Sequence, residues 1–130
     1  MRAYLIDPVE RRITEVDYDG NYKSIYKLID CERFDCVRFS DNGDCAYVDD
    51  EGMFVENQSF FKIEGYPQPV AGKALVLGTD EEGGSVSPIL PFAEIWHKVQ
   101  FGVLIQISGK VLFSGASAWK IAQNSPRHKK

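Results

Sequence analysis

Three residues of this chain carry the chemistry of a small active site: Lys73, Asp80 and His97. A lysine holds a phosphate or carboxylate as a point charge, and an aspartate orients a hydroxyl. Histidine is the side chain whose ordinary pKa suits a general base near neutrality. Brought together, they would serve an enzyme or binder acting on a nucleotide or sugar. Lys73 lies in the densest stretch of the sequence, GYPQPVAGKALVLGT, Gly65 to Thr79. A phosphate-binding loop needs a strand, then glycine amides, then Lys-Ser or Lys-Thr opening a helix. Here Gly72-Lys73 runs into ALVL, which is strand-like, so the amides do not face a helix N-terminus. The reading this supports is a backbone one. Pro67 and Pro69 remove two donors and blunt a strand edge, and Gly72 lets the chain enter a sheet.

His97 adjoins Trp96 near the C-terminus of a predicted helix, where the partial negative charge favours a cation. Ser85 and Ser87 are the hydroxyls it would activate as a general base, but no spacing fixes that geometry, and a surface histidine is the ordinary reading. Cys31-x4-Cys36-x8-Cys45 with a distant His97 departs from zinc-ligand spacings, and Cys36 in an apolar strand reads as a small hydrophobe. FSDNGDCAYVDDEG is acidic, yet its glycines fall at the wrong offsets for a calcium loop, so it reads as a solvated hairpin tip. The runs Asp49-Asp50-Glu51 and Asp80-Glu81-Glu82 read as solubilising turns. The sequence therefore assigns no catalytic residue, no metal ligand and no cofactor.

The elements that must position these groups follow from periodicity. RAYLI reads as a buried strand stopped at Asp7-Pro8, a turn that returns the chain as RITEVDY. Tyr22, Ile25, Tyr26 and Ile29 form one helical stripe, with Asp19 or Asn21 placed to cap it. FDCVRFS and CAYVDD flank Asn42-Gly43, a type I′ hairpin signal. Glu51-Gly52 turns into MFV, SFFKI is a further strand, and KALVLG is apolar on both faces and so belongs at a sheet centre. Pro91 stands where a first helical residue should, followed by the stripe Phe92, Ile95, Trp96 and Val99, with Gly102 as the stop. VLIQIS and VLFSG form a second hairpin about Gly109-Lys110, and ASAWKIAQN is a last short helix. The expected class is α+β: a mixed, mainly antiparallel β-sheet with two or three short helices packed on one face. Residues 1–130 are expected to form a single domain, with 85–121 a helix plus hairpin extension and 122–130 a flexible basic tail.

The opening strand into IDP, the helix YKSIYKLIDC, the hairpin ending in YVDDEGMF, then SFFKIEGYPQP and AGKALVLGTDEEG carry a resemblance. Over about residues 1–84 the chain resembles a family of small uncharacterised phage- and plasmid-encoded proteins, catalogued as a domain of unknown function. The resemblance implies an accessory gene of a mobile element, expressed in a bacterial cytoplasm. It brings no activity, cofactor or site residue.

Charge narrows the partners. All 19 acidic residues lie at or before Glu94, against nine Lys and Arg, a balance of −10; from Ile95 onward there are six basic residues and no acid. Such an acidic body repels a nucleic-acid backbone, which makes nucleic acid an unlikely partner. Three cysteines without a CxxC suit a reducing cytosol, and no run approaches a membrane span. The reading is a non-enzymatic accessory binding protein that engages a host protein, with interference in host defence as one use. A homodimer is the other partner expected, and the enzyme or binder of a nucleotide or sugar is the alternative. The candidate surface comprises Tyr66, Lys73, Asp80, Trp96, His97 and Trp119, with the aromatic residues as anchors.

Overall fold

The structure is a computed structural model that describes residues 1–51 and 58–124; the expected strand MFV and the tail from Ser125 onward lie outside the described residues. It opens with β1 (Arg2–Asp7) and β2 (Arg12–Asp17), an antiparallel hairpin. The Asp7 carboxylate accepts the amides of Val9 and Glu10 at 3.0 and 3.2 Å, which is how Asp-Pro sets the turn. Then come α1 (Lys23–Leu28), β3 (Phe34–Arg38), β4 (Cys45–Asp49), β5 (Phe60–Ile63), β6 (Val70–Ala71) and β7 (Ala74–Thr79). β8 (Ser85–Val86), α2 (Phe92–Lys98), β9 (Val99–Ile107), β10 (Lys110–Ser117) and α3 (Ala118–Asn124) complete the order.

The class is α+β, and every described strand pair is antiparallel. The strands divide into two sheets rather than one. The larger runs β2-β1-β7-β4-β3 with β8 beside β7, and the smaller runs β10-β9-β5-β6. KALVLG is indeed central: β7 pairs β1 on one side and β4 on the other. Alternation along these strands decides what each face covers. Tyr4, Ile6, Ala46, Val48, Ala74 and Val76 face a core shared with Phe61, Ile63, Val99 and Phe101 of the smaller sheet, closed by α2 and α3. Ala3, Leu75 and Leu77 point the other way, onto Ile25 and Ile29 at α1. The helices therefore lie on both faces of the larger sheet. A strand apolar on both sides needs two covers, and α1 is the second.

The stretch from Gly65 to Thr79 joins the sheets. Val70 and Ala71 pair with β5 in the smaller sheet, and Ala74 begins β7 in the larger one. Gly72, at φ +78°, makes the bend between them, and its amide donates to the Ser59 carbonyl at 3.0 Å. The expected strand entry is what this segment does.

Four local expectations change. Pro91 is the cap of α2 rather than its first residue: its backbone is extended and its carbonyl accepts the amides of Glu94 and Ile95. Gly102 does not end that helix. Lys98 does, and Gly102 sits inside β9 opposite both Phe60 and Gly115. Ala122 is buried in the core on α3, so residues 122–124 belong to that helix and not to a tail. The β3–β4 connection is not a two-residue type I′ turn, because the register closes at Arg38 and Cys45 and only Gly43 has positive φ there. Both ends of this six-residue loop are drawn inward. Phe39 enters the core, and Asp44, fully buried, accepts the amides of Ile89 and Leu90 at 2.9 to 3.1 Å. A hairpin expected to be a solvated tip thus pins the entry to α2. Arg2 and Tyr4 hold the same segment through the carbonyls of Pro88 and Leu90.

Candidate functional site

Two features of the surface have the make-up of a site. The first is a pair of adjoining clefts where the β3–β4 loop, the end of β5 and the end of α2 meet. Arg38, Phe39, Ser40 and Asp41 line one, of ≈ 180 Å³; Lys62, Ile63, His97 and Gln100 line the other, of ≈ 190 Å³; Glu64, Gly65, Tyr66 and Lys98 border both. Gly65, at φ +86°, turns the chain here, and the Tyr66 amide donates to the Ile63 carbonyl at 3.0 Å. The rim mixes charges. Arg38 lies 3.6 Å from Asp41, Lys98 stands 5.9 Å over the Phe39 ring, and Lys62 stands 5.9 Å over the Phe113 ring. The cations are Arg38, Lys62 and Lys98 and the carboxylates Asp41 and Glu64, so the lining can both donate to and accept from a polar group.

The second feature is the β9–β10 ribbon. The face of β9 that carries Val99 and Phe101 into the core continues outward as Val103 and Ile105, with Leu112 directly opposite Ile105 on β10. These three are 41%, 37% and 47% exposed. β5 pairs β9 only as far as Gly102, so beyond that point the ribbon stands with no further described strand on β9's side. From Gly102 to Ser117 the sequence carries one charge, Lys110. Polar residues normally take over where a strand leaves the core, and here they do not.

Of the six candidate residues, the structure brings three together. Tyr66 and His97 line the same cleft, and Trp119 lies against His97 with ring centroids 4.7 Å apart. Trp119 is part-exposed, as an anchor needs to be. Trp96 is a correction. It is buried, with Phe92 at 6.2 Å, because it points from α2 into the core between the sheets. Lys73 and Asp80 stand elsewhere. Lys73 pairs with Asp30 at 2.6 Å, beyond α1, and the Asp30 carboxylate raises its pKa, with burial opposing. Asp80 is spent on its own turn, accepting the amides of Glu82 and Gly84 at 2.9 and 2.7 Å. These two flank opposite ends of β7, while His97 lies on the α2 side of the larger sheet. The trio of the enzyme alternative does not form one site.

Sequence reasoning passed over Arg38, Lys62, Glu64, Lys98 and Gln100. A signal existed for two of them: Lys62 and Glu64 alternate with the buried Phe61 and Ile63, which puts Lys62 on the outer face of β5 and Glu64 just beyond its end.

Residues 1–100 match the family described as Domain of unknown function (DUF3846). The chain belongs to that family. The DUF3846 match extends past the 84 residues of the resemblance to include α2, and it stops at Gln100, the second residue of β9. Most of the ribbon and all of α3 lie beyond it. A curated relative, "Uncharacterized protein y4iR" of Sinorhizobium fredii (strain NBRC 101917 / NGR234), is 32% identical over 88 residues, which are 66% of this chain and 54% of that protein. The chain thus spans about half the length of this relative. No solved structure matches it. Among the described residues no helix is long and apolar enough to cross a membrane.

Proposed function

We propose that this DUF3846 chain is a non-enzymatic binding protein that engages a partner protein through the β9–β10 ribbon. The observation that carries the reading is the core-facing side of that ribbon, which stays apolar through Val103, Ile105 and Leu112 after the core has ended. Exposed apolar surface costs about 25 cal/mol per Å² while it faces water, so a face of this kind favours burial against another molecule. The Tyr66, His97 and Trp119 cluster supplies aromatic and polar contacts on the body below.

The setting proposed is an accessory gene of a phage or plasmid, its product acting in the cytoplasm of a bacterial host on a host protein; interference with host defence is one use of such engagement. A relative in a bacterium, Sinorhizobium fredii, supports the bacterial setting. The test is affinity capture from a bacterial lysate with the wild-type chain and Ile105→Glu in parallel, followed by identification of the retained proteins. A host protein held by the wild type and depleted about tenfold or more by Ile105→Glu is the expected result. Equal capture by both overturns the reading.

A further inference from the structure

Sheets expose edges, and edges recruit strands unless something prevents it. Among the described residues the outer strands β2, β3 and β6 are protected, while β10 and the five residues of β9 beyond Gly102 are not. β2 carries Arg12, Glu15 and Asp17; β3 carries Asp35 and Arg38 in five residues; β6 is two residues long and follows Pro67 and Pro69. β10 is different. It runs for eight residues, KVLFSGAS, with its one charge at the first position and no proline, and no described strand pairs with its outer side. Val111 and Leu112 on it are 62% and 47% exposed.

We propose that β10 pairs antiparallel with β10 of a second copy of this chain, about a two-fold axis at Ser114, joining the two smaller sheets into one. Charge and shape both select a second copy in this register. Antiparallel pairing carries each Lys110 just past the end of the other copy's β10, about 27 Å from its own counterpart, whereas parallel pairing would put the two ammonium groups side by side. The register also places Leu112 across from Ala116, a large side chain opposite a small one. A strand with no acid and one terminal base offers a charged partner nothing to read, but it is complementary to itself. The dimer shares the ribbon with the function proposed above but needs no host protein.

The experiment is sedimentation velocity on the full chain between about 1 and 300 μM, with Leu112→Lys beside the wild type. The wild type shifts from monomer to dimer across that range, and Leu112→Lys raises the dissociation constant about tenfold or more. Leu112 is part-exposed, so the lysine is compatible with folding; circular dichroism checks it. Mild oxidation gives a second reading. Ser114→Cys, on the axis, yields a covalent dimer through residue 114, whereas Val111→Cys, about 20 Å from its counterpart, does not, with linkages mapped by peptide mass. A wild type that is monomeric throughout, a dimer indifferent to Leu112→Lys, or equal cross-linking at 111 and 114 overturns the proposal. A monomer that still holds a host protein, lost in Ile105→Glu, overturns the dimer and leaves the proposed function standing. A dimer whose lysate capture ignores Ile105→Glu supports the dimer and overturns that function.

Discussion

Replacing Asp44 tests the link between the β3–β4 loop and the entry to α2. Its carboxylate is the one buried polar or charged side chain among the described residues. It accepts the Ile89 amide with both oxygens, at 2.9 and 3.1 Å, and the Leu90 amide at 2.9 Å. In Asp44→Ala both amides lose their acceptor inside the protein. A buried donor left unsatisfied costs about 1–3 kcal/mol, so two would cost about 2–6 kcal/mol if nothing moved. The segment Pro88–Leu90 is still tethered by Arg2 and Tyr4, yet it can tilt toward water, which sets the expected loss at ~2–4 kcal/mol. Asp44→Asn keeps the shape and one acceptor oxygen, but turns an NH₂ toward an amide donor; ~1–2 kcal/mol is expected. Urea unfolding followed by the fluorescence of the buried Trp96 measures both losses, and a midpoint shift at unchanged slope marks them as stability effects. Amide exchange supplies the local reading, since residues 89 and 90 should lose protection before the β7 amides do. Asp44→Ala within about 0.5 kcal/mol of the wild type, with amides 89 and 90 still protected, would refute the reasoning.

Four other outcomes are expected. A Cβ on Gly102 would collide with the Ser114 carbonyl oxygen and lie 2.6 Å from the Gly115 Cα, so Gly102→Ala should cost ~2–3 kcal/mol by thermal melting. Gly109→Ala, with open space but φ +78°, should cost only about 1 kcal/mol, and the reverse order would show that the close strand approach is unimportant. Burial pushes the Cys31 thiol up to about 11, so at pH 8 it should alkylate ~100-fold more slowly than free cysteine and about tenfold faster per pH unit gained, read by peptide mass. Lys73→Met should cost no more than ~1 kcal/mol at pH 7, because Asp30 is largely exposed and water screens the pair. Since Asp30 raises the Lys73 pKa, that contribution is present below the unfolded lysine value near pH ~10.4 and fades as pH climbs through the folded one; a melting difference that grows in alkali contradicts the sign.

Much of the fold was legible because its signals are local. Asp7-Pro8 announces a turn whatever surrounds it, and the stripe Ile25 and Ile29 marks a buried helix face in any context. KALVLG states its own two-sided burial. What the sequence withheld is partnership. No residue in SFFKI or KALVLG says that they enter different sheets, because the same alternation serves either. Gly102 reads as a helix stop until its neighbours Phe60 and Gly115 are known. Trp96 and Trp119 share a type and differ only in what packs above them. Asp44 belongs to an acidic string, and its burial depends on amides 45 residues away. The cleft was half visible: Tyr66 and His97 stood out as isolated aromatic and titratable side chains, whereas Arg38 and Lys98 became part of it only by the meeting of distant elements.

The pairing of Tyr4 with Val76 has a consequence for how the protein is made. When β1 and β2 leave the ribosome, the middle strand they must join has not been synthesised. At about 5–20 residues per second, the roughly 70 intervening residues keep that early hairpin waiting for several seconds. A lone hairpin is marginal in water, so its apolar side chains stay open to chaperones, or to neighbouring nascent chains, until translation has passed Thr79. Assembly of this molecule is therefore gated from its middle outward.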